Sequence, residues 1–207
     1  MNNKVKIPER MSSLPLDERG YPIPFIVFRD DNNKPHFTIN DEYKRLSIIK
    51  QDRCPICGEK LLRGRWFVGG PLSAFHPEGL YLDSGMHHEC MNYAMQVCPY
   101  LAAPKYLKRI SDKTVKTEDI SQSRLFIDPT VIDARPDVFV AIMTTGQKLI
   151  GKGSLSLKIR PKKPCVDIQY WKYGKQIDKK TAKELIKNYV NKTEFKYEEI
   201  EKYIKGE

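Results

Sequence analysis

The sequence predicts an α+β protein: a treble-clef-like zinc finger joined to a small antiparallel sheet with C-terminal helices. Three observations carry this expectation. Two Cys/His pairs, Cys54-x-x-Cys57 and His87-x-x-Cys90, stand thirty residues apart. Short runs of alternating apolar and polar residues follow position 137, and two helical apolar stripes close the chain. The chain divides on this reading into an N-terminal hairpin and helix (1–53), the finger (54–104), a polar connector (105–135) and a basic meander with two helices (136–207).

A Pro-punctuated lead-in from Leu14 to Pro24 runs into the apolar strand Phe25-Ile26-Val27-Phe28, and the turn formers Asp30 to Lys34 return the chain as His36-Phe37-Thr38-Ile39. Asn40 suits an N-cap, and Tyr43, Leu46 and Ile49 or Lys50 are spaced for a short amphipathic helix. Between the two ligand pairs, Trp66-Phe67-Val68 and Gly79-Leu80-Tyr81-Leu82 are expected to pair as strands around Gly69-Gly70-Pro71. Cys90, Tyr93, Ala94 and Val97 then share a helical stripe that Pro99 and Pro104 end.

Pro104 to Ser123 is a Lys-rich polar stretch without periodicity. Val138 to Thr144 has the apolar continuity of a strand, and Thr145-Gly146 a turn. Leu155–Ile159 and Val166–Tyr170 alternate as two strands that Pro161-Lys162-Lys163-Pro164 is expected to join as an antiparallel meander. Asp178 caps a helix with Ala182, Leu185, Ile186, Tyr189 and Val190 on one stripe. Thr193 is expected to cap a last helix carrying Tyr197, Ile200 and Ile204.

The chemistry concentrates at the cysteines. Cys54-Pro55-Ile56-Cys57-Gly58 has the form of a zinc knuckle, and His87 and Cys90, three apart at a helix start, project from one face to complete a tetrahedral site. Cofactor expectation: one structural zinc, held by Cys54, Cys57, His87 and Cys90. His76, next to Pro77 in a loop, could stand in for His87. Four protein ligands leave no open position for water, which argues against a catalytic metal. His88 reads as a surface group, Cys98 as a small buried thiol, and Cys165 as a strand-start cysteine whose lysine neighbours could lower its pKa. His87-x-Glu89 follows the Cys pair instead of preceding it, which excludes a nucleoside-deaminase signature. A metal-dependent nuclease would draw on His88, Asn92 and Asp83. There is no Walker loop, nucleophile elbow or Rossmann fingerprint.

Arg19-Gly20-Tyr21-Pro22-Ile23-Pro24-Phe25, Lys34-Pro35-x-Phe37, Arg53-Cys54-x-x-Cys57-Gly58 and His87-x-x-Cys90-x-x-Tyr93-Ala94-x-x-x-Cys98-Pro99-Tyr100-Leu101 form a set. In these motifs the chain resembles an uncharacterised family of small zinc-binding proteins from bacteria, phages and prophages. The resemblance spans roughly Leu14 to Pro104, with a fainter echo at Trp171-x-x-Gly174-Lys175. It implies the same four ligands and a phage or prophage association; residues 68–86 depart from the family pattern.

A net charge of +10 and a pI near 9.3 make polyanions candidate partners, and Gly146 to Lys180 carries ten Lys or Arg against two acids. Lys158, Arg160, Lys162, Lys163, Lys172 and Lys175, with Trp171 and Tyr173 exposed for stacking, could form a nucleic-acid or anion surface. Equally, lysines at alternate strand positions solvate the outer face of a sheet. The odd cysteine count and the lack of an apolar span or signal core point to a soluble protein of a reducing cytoplasm, the host's if phage-encoded. The first functional expectation is a non-enzymatic binding protein contacting nucleic acid or a nucleic-acid-handling partner. The second is a phage counter-defence protein that inhibits a host protein or sequesters a small anionic ligand, and the third is a nuclease.

Overall fold

The computed structural model describes residues 5–103, 125–127, 135–151 and 157–205. The connector expected at 104–123 and the start of the strand expected from Leu155 lie outside them. The N-terminal hairpin forms as β1 (Val27–Arg29) and β2 (Pro35–Asp41), and α1 (Glu42–Gln51) follows directly. Then come β3 (Arg65–Gly69), the short α2 (Pro71–Phe75), α3 (His88–Val97) and α4 (Pro99–Ala102). After β4 (Leu125–Ile127), which adds to β2, the chain forms β5 (Phe139–Thr144), β6 (Gln147–Ile150), β7 (Lys158–Pro161), β8 (Asp167–Lys172) and β9 (Lys175–Ile177). Helices α5 (Lys179–Val190) and α6 (Tyr197–Lys205) end it.

The organising element is a four-stranded antiparallel sheet in the order β3-β5-β8-β9. Strand β5 is apolar at almost every position because it is covered on both sides. Val140 and Ile142 face Ala74 and Phe75 of α2, Ala182, Ile186 and Val190 of α5, and Ile200 and Ile204 of α6. Phe139 and Ala141 point the other way, onto Met91 and Met95 of α3 and Tyr100 and Leu101 of α4. Alternation across the strand thus feeds two cores, which a continuous apolar run anticipates.

The pairing differs from the sequence expectation in two places. Strand β3 does not pair with residues 79–82; its full length pairs with β5 across a large sequence gap, from Arg65 opposite Thr144 to Gly69 opposite Val140. Pro71 sits at the first position of α2, where its fixed φ favours helix over hairpin turn, and Tyr81 bonds Ile159 of β7 instead. Likewise β7 pairs with β6, not β8, so Pro161-Lys162-Lys163-Pro164 carries the chain from a two-stranded ribbon into the larger sheet. The two-residue turn of β8–β9 is Tyr173-Gly174, both at positive φ (50° and 76°). A side chain at Gly174 would also crowd Ala102 of α4, at 3.2 Å.

Smaller corrections concern helix ends and faces. Asp41, not Asn40, caps α1 by accepting from the Lys44 amide at 3.2 Å. Tyr43 is exposed, and α1 turns inward Glu42, Arg45, Ile48 and Ile49. Asp178 caps α5 as expected, its carboxylate accepting from the Thr181 amide at 3.0 Å. Thr193 does not cap α6, which starts four residues later; its hydroxyl donates to the Val190 carbonyl at 2.8 Å.

Arg45 explains why α1 rotates away from its apolar stripe. Its buried guanidinium donates to Glu42 at 3.1 Å, to the Leu82 carbonyl at 3.2 Å and to the Leu157 carbonyl, tying α1 to the loop before α3 and to the entry of β7. Burial raises the Glu42 carboxyl above its ordinary range although Arg45 opposes this. Arg45→Ala leaves a buried carboxylate and two carbonyls without their cation and is expected to cost about 3–5 kcal/mol in urea unfolding. Because Glu42 binds its proton more tightly folded than unfolded, its contribution is full below the ordinary glutamate pKa and declines as pH rises through the folded value. The stability advantage of wild type over Glu42→Gln should therefore shrink as urea unfolding is repeated from pH 4 to pH 7.

Candidate metal centre

The knuckle is built by backbone geometry. The Gly58 amide donates to the Cys54 carbonyl at 2.9 Å and the Cys54 amide to the Glu59 carbonyl at 2.8 Å, folding Cys54 and Cys57 toward one point. Gly58 holds φ +77°, and a Cβ there would stand 2.7 Å from the Phe25 ring, so two constraints demand glycine. The lead-in braces this turn from outside: the Phe25 amide donates to the Ile56 carbonyl at 2.8 Å and the Ile26 amide to the Pro55 carbonyl at 3.0 Å. Arg53 donates to the Gly58 carbonyl at 2.9 Å.

The second pair enters from α3. His87 is the N-cap residue, extended at ψ 150°, and Cys90 lies in the first turn. The ligand atoms of Cys54, Cys57, His87 and Cys90 all lie within 4.8 Å of one another, and all four residues are buried. No cysteine forms a disulfide. The His87 Nε2 stands 3.1 Å from the Lys60 carbonyl, which fixes the proton on Nε2, and Nδ1 then presents its lone pair 3.4 Å from the Cys57 sulfur. A tetrahedral metal with thiolate and imidazole ligands needs edges of roughly 3.5–3.8 Å, a size close to this group.

Electrostatics favours a cation at its centre. Burial opposes ionisation of Cys54, yet hydrogen bonds from Cys57 and Cys90 hold its thiol well below the usual range. Cys90 is driven up, first by its hydrogen bond to Cys54, then by Cys57 and by burial. Three buried sulfurs cannot all carry negative charge without a counter-charge, and a divalent cation supplies one. Cys54, Cys57, His87 and Cys90 therefore lie where they could bind a metal ion. Among the described residues they are the one group of three or more His, Cys, Asp or Glu side chains so placed.

The N-terminal segment covers this site, which sequence patterning did not indicate. Met11 is buried against Cys54, Cys57, Cys90, Leu61 and Tyr93. Its neighbour Arg10 contacts both Glu59, two residues after Cys57, and Glu89, one before Cys90, so one guanidinium joins the two ligand pairs.

Other candidates take separate positions. His76 accepts from the Glu78 amide at 3.1 Å and lies against Phe195, apart from the metal group. His88 is exposed, its ring 5.0 Å from Trp66 and its Nε2 3.3 Å from the Gln169 amide nitrogen. Asp83 accepts from Asn40 at 3.2 Å. Burial pushes the Cys98 thiol up, and the Cys165 thiol up as well, with Lys163 only partly opposing, so neither becomes a ready thiolate.

The basic residues do not form one surface. Trp171, expected to be exposed, is 4% exposed and packs with Trp66, Met91 and Met95, because alternation along β8 turns it toward α3. Tyr173 lies beneath the Lys172 ammonium (5.2 Å) and the Arg135 guanidinium (5.7 Å). Lys163 sits over Tyr203 at 4.6 Å. Lys175 is exposed on β9, while Lys158 and Arg160 lie on β7 of the β6–β7 ribbon and Lys162 directly follows it. Arg160 meets Glu78.

Fold and site together define an α+β protein with antiparallel sheets and a buried Cys3His group able to hold a metal ion. No family model, curated protein or solved structure matches the chain. No helix among the described residues is long and apolar enough to cross a membrane.

Purified protein is expected to carry one divalent metal ion per chain by elemental analysis. Cys54→Ser and Cys90→Ser should lose it, and His88→Ala and Cys98→Ala should retain it. Arg10→Ala should keep the metal but release it to a chelator roughly two- to thirtyfold faster, the span set by two exposed ion pairs.

Proposed function

We propose that the chain is a non-enzymatic, zinc-stabilised binding protein that contacts nucleic acid through its β6–β7 ribbon. The closed Cys3His set carries the metal part of this reading. Four protein ligands fill a tetrahedral zinc, so the ion contributes folding free energy and offers no site for water or substrate. The order of knuckle and ligand-bearing helix supports a treble-clef-like finger, with β3 given over to the main sheet instead of a local hairpin. The motif resemblance supports a phage or prophage association and a host-cytoplasmic setting.

The cationic excess of residues 146–180 supports polyanion contact, and exposed lysines on the ribbon keep their charges available. A second reading, a counter-defence protein that sequesters a small anionic ligand or inhibits a host protein, is favoured by one observation. A groove of about 700 Å³ runs past Tyr21, Phe37, Val68 and Tyr93, with Arg19 held over Tyr21 and Phe37 at its side.

A salt-titrated gel shift separates the two. Binding to arbitrary-sequence DNA that weakens steeply with salt is expected, with a dissociation constant on the order of 10⁻⁴–10⁻⁶ M at physiological salt. No binding at low salt would overturn the nucleic-acid reading and leave the groove as the site to probe.

A further inference from the structure

We infer that the ribbon takes duplex DNA by its phosphates, without reading its bases and without binding single strands preferentially. This rests on the nucleic-acid reading above and narrows it to one form of the polymer.

The register of β6 and β7 decides which side chains share a face. Lys148 stands opposite Arg160, Ile150 opposite Lys158, Leu149 opposite Ile159 and Gln147 opposite Pro161. Directly opposed residues project together, so Lys148, Ile150, Lys158 and Arg160 form one face and Gln147, Leu149, Ile159 and Pro161 the other. Ile159 and Pro161 are buried, which makes the second face the inner one along β7, although Leu149 on β6 is 48% exposed. The Lys162 amide donates to the Gly146 carbonyl at 2.8 Å, extending the same register by one step, and the Lys162 stem lies over Gly146. Lys148, Lys158, Arg160 and Lys162 are therefore four cations on one outward face.

That ribbon is braced along the free edge of β7. Tyr81 and Ile159 exchange two backbone hydrogen bonds, of 2.8 and 2.7 Å, and Gln147 accepts from the Gly85 amide at 3.4 Å. Its cations sit at alternate residues of β7, about 6.6 Å apart at the usual strand rise. B-DNA carries one phosphate charge per about 1.7 Å of helix axis with both strands counted, so such a row faces a dense line of anions, and a two-stranded ribbon is of a width that the major groove admits.

The face lacks what a single strand needs. Base stacking on aromatic rings is the main sequence-tolerant grip on unpaired bases. Here Trp171 is buried, Tyr173 lies under Arg135 and Lys172, and the apolar residue among the four cations is Ile150. Three lysines to one arginine favour diffuse phosphate attraction over bidentate base contacts. The single arginine also meets Glu78, a counter-charge that a phosphate must displace.

The test is a salt titration of the full chain against a short DNA duplex of arbitrary sequence and against one of its strands alone. The duplex is expected to bind at least about threefold tighter, with a log–log salt slope of about −3 to −4 for three or four phosphate contacts. Lys158→Ala and Lys162→Ala should each reduce that slope by roughly one, Lys34→Ala in the β1–β2 turn should leave it unchanged, and Glu78→Gln should tighten duplex binding by about threefold. Tighter binding of the single strand, or an unchanged slope in both ribbon variants, overturns the inference while leaving nucleic-acid binding in place. Absence of binding to either form at low salt overturns both.

Discussion

Helix α3 has to satisfy two cores at once, and most of the structure follows from that demand. On one side Cys90 and Tyr93 face the knuckle, with Met11 and Leu61 closing around them. Roughly 150° around the helix, Met91 and Met95 press onto Trp66, Phe139 and Trp171 of the sheet. A helix held by metal ligands alone would be free to pivot about its first turn. Packing Met91 and Met95 into the sheet removes that freedom, and each buried side chain of this size contributes about 1.5–3 kcal/mol. The isolated bridge between Trp66 and Met86, two backbone hydrogen bonds of 2.8 and 2.9 Å just before His87, fixes where the helix begins. Metal site and sheet are thus coupled through a few residues, and the zinc proposed for that site would stiffen the edge of the main sheet as well as the finger.

The same coupling accounts for what was legible in the sequence. Local chemistry is readable: the grouping of Cys54, Cys57, His87 and Cys90 from its spacing, the β1–β2 hairpin from its turn residues, the Asp178 cap and the α5 stripe from periodicity. Partner choice is not. The pairing of Arg65–Gly69 with Phe139–Thr144 links strands some seventy residues apart, and no local pattern encodes which distant strand a half-apolar segment joins. Alternation predicts that Trp171 and Tyr170 face opposite sides of β8, but not that both sides are covered, and so does not reveal that Trp171 is buried. The helix α1 is legible but its inward face is not, because a buried arginine with three acceptors breaks the rule that charged residues mark the exposed face. Arg10 and Met11 had no periodic signal at all, since an irregular segment packed over a site leaves no repeat to detect.

Charge behaves differently from packing in this molecule, because its meaning depends on how the cations are divided. Taken along the chain, residues 146–180 form one basic block. In three dimensions the block separates: Lys163 rests on Tyr203, while Lys172 and Lys175 stand opposite each other on the β8–β9 hairpin. Among the described residues of this block, the ribbon gathers four cations on one face, and the opposed pair Lys172 and Lys175 forms a separate, smaller one on β8–β9. This division follows from the β6–β7 pairing, since the meander expected from the sequence would have brought Lys158 and Arg160 beside β8 instead.

The ribbon's attachment also bears on how its charges can act. Lysine side chains lose rotamer entropy when they close on a phosphate, and that loss is tolerable when the backbone beneath is already ordered. Tyr81 supplies the order: its backbone bonds Ile159, and its ring lies against Phe67 of β3 at 5.3 Å between centroids. The Tyr81 segment lies between α2 and α3, so the chain that positions His87 also holds the inner edge of β7. Loss of the Cys3His group would loosen residues 79–86, and with them the brace along the edge of the ribbon. The Cys3His group can therefore influence a surface of which it forms no part.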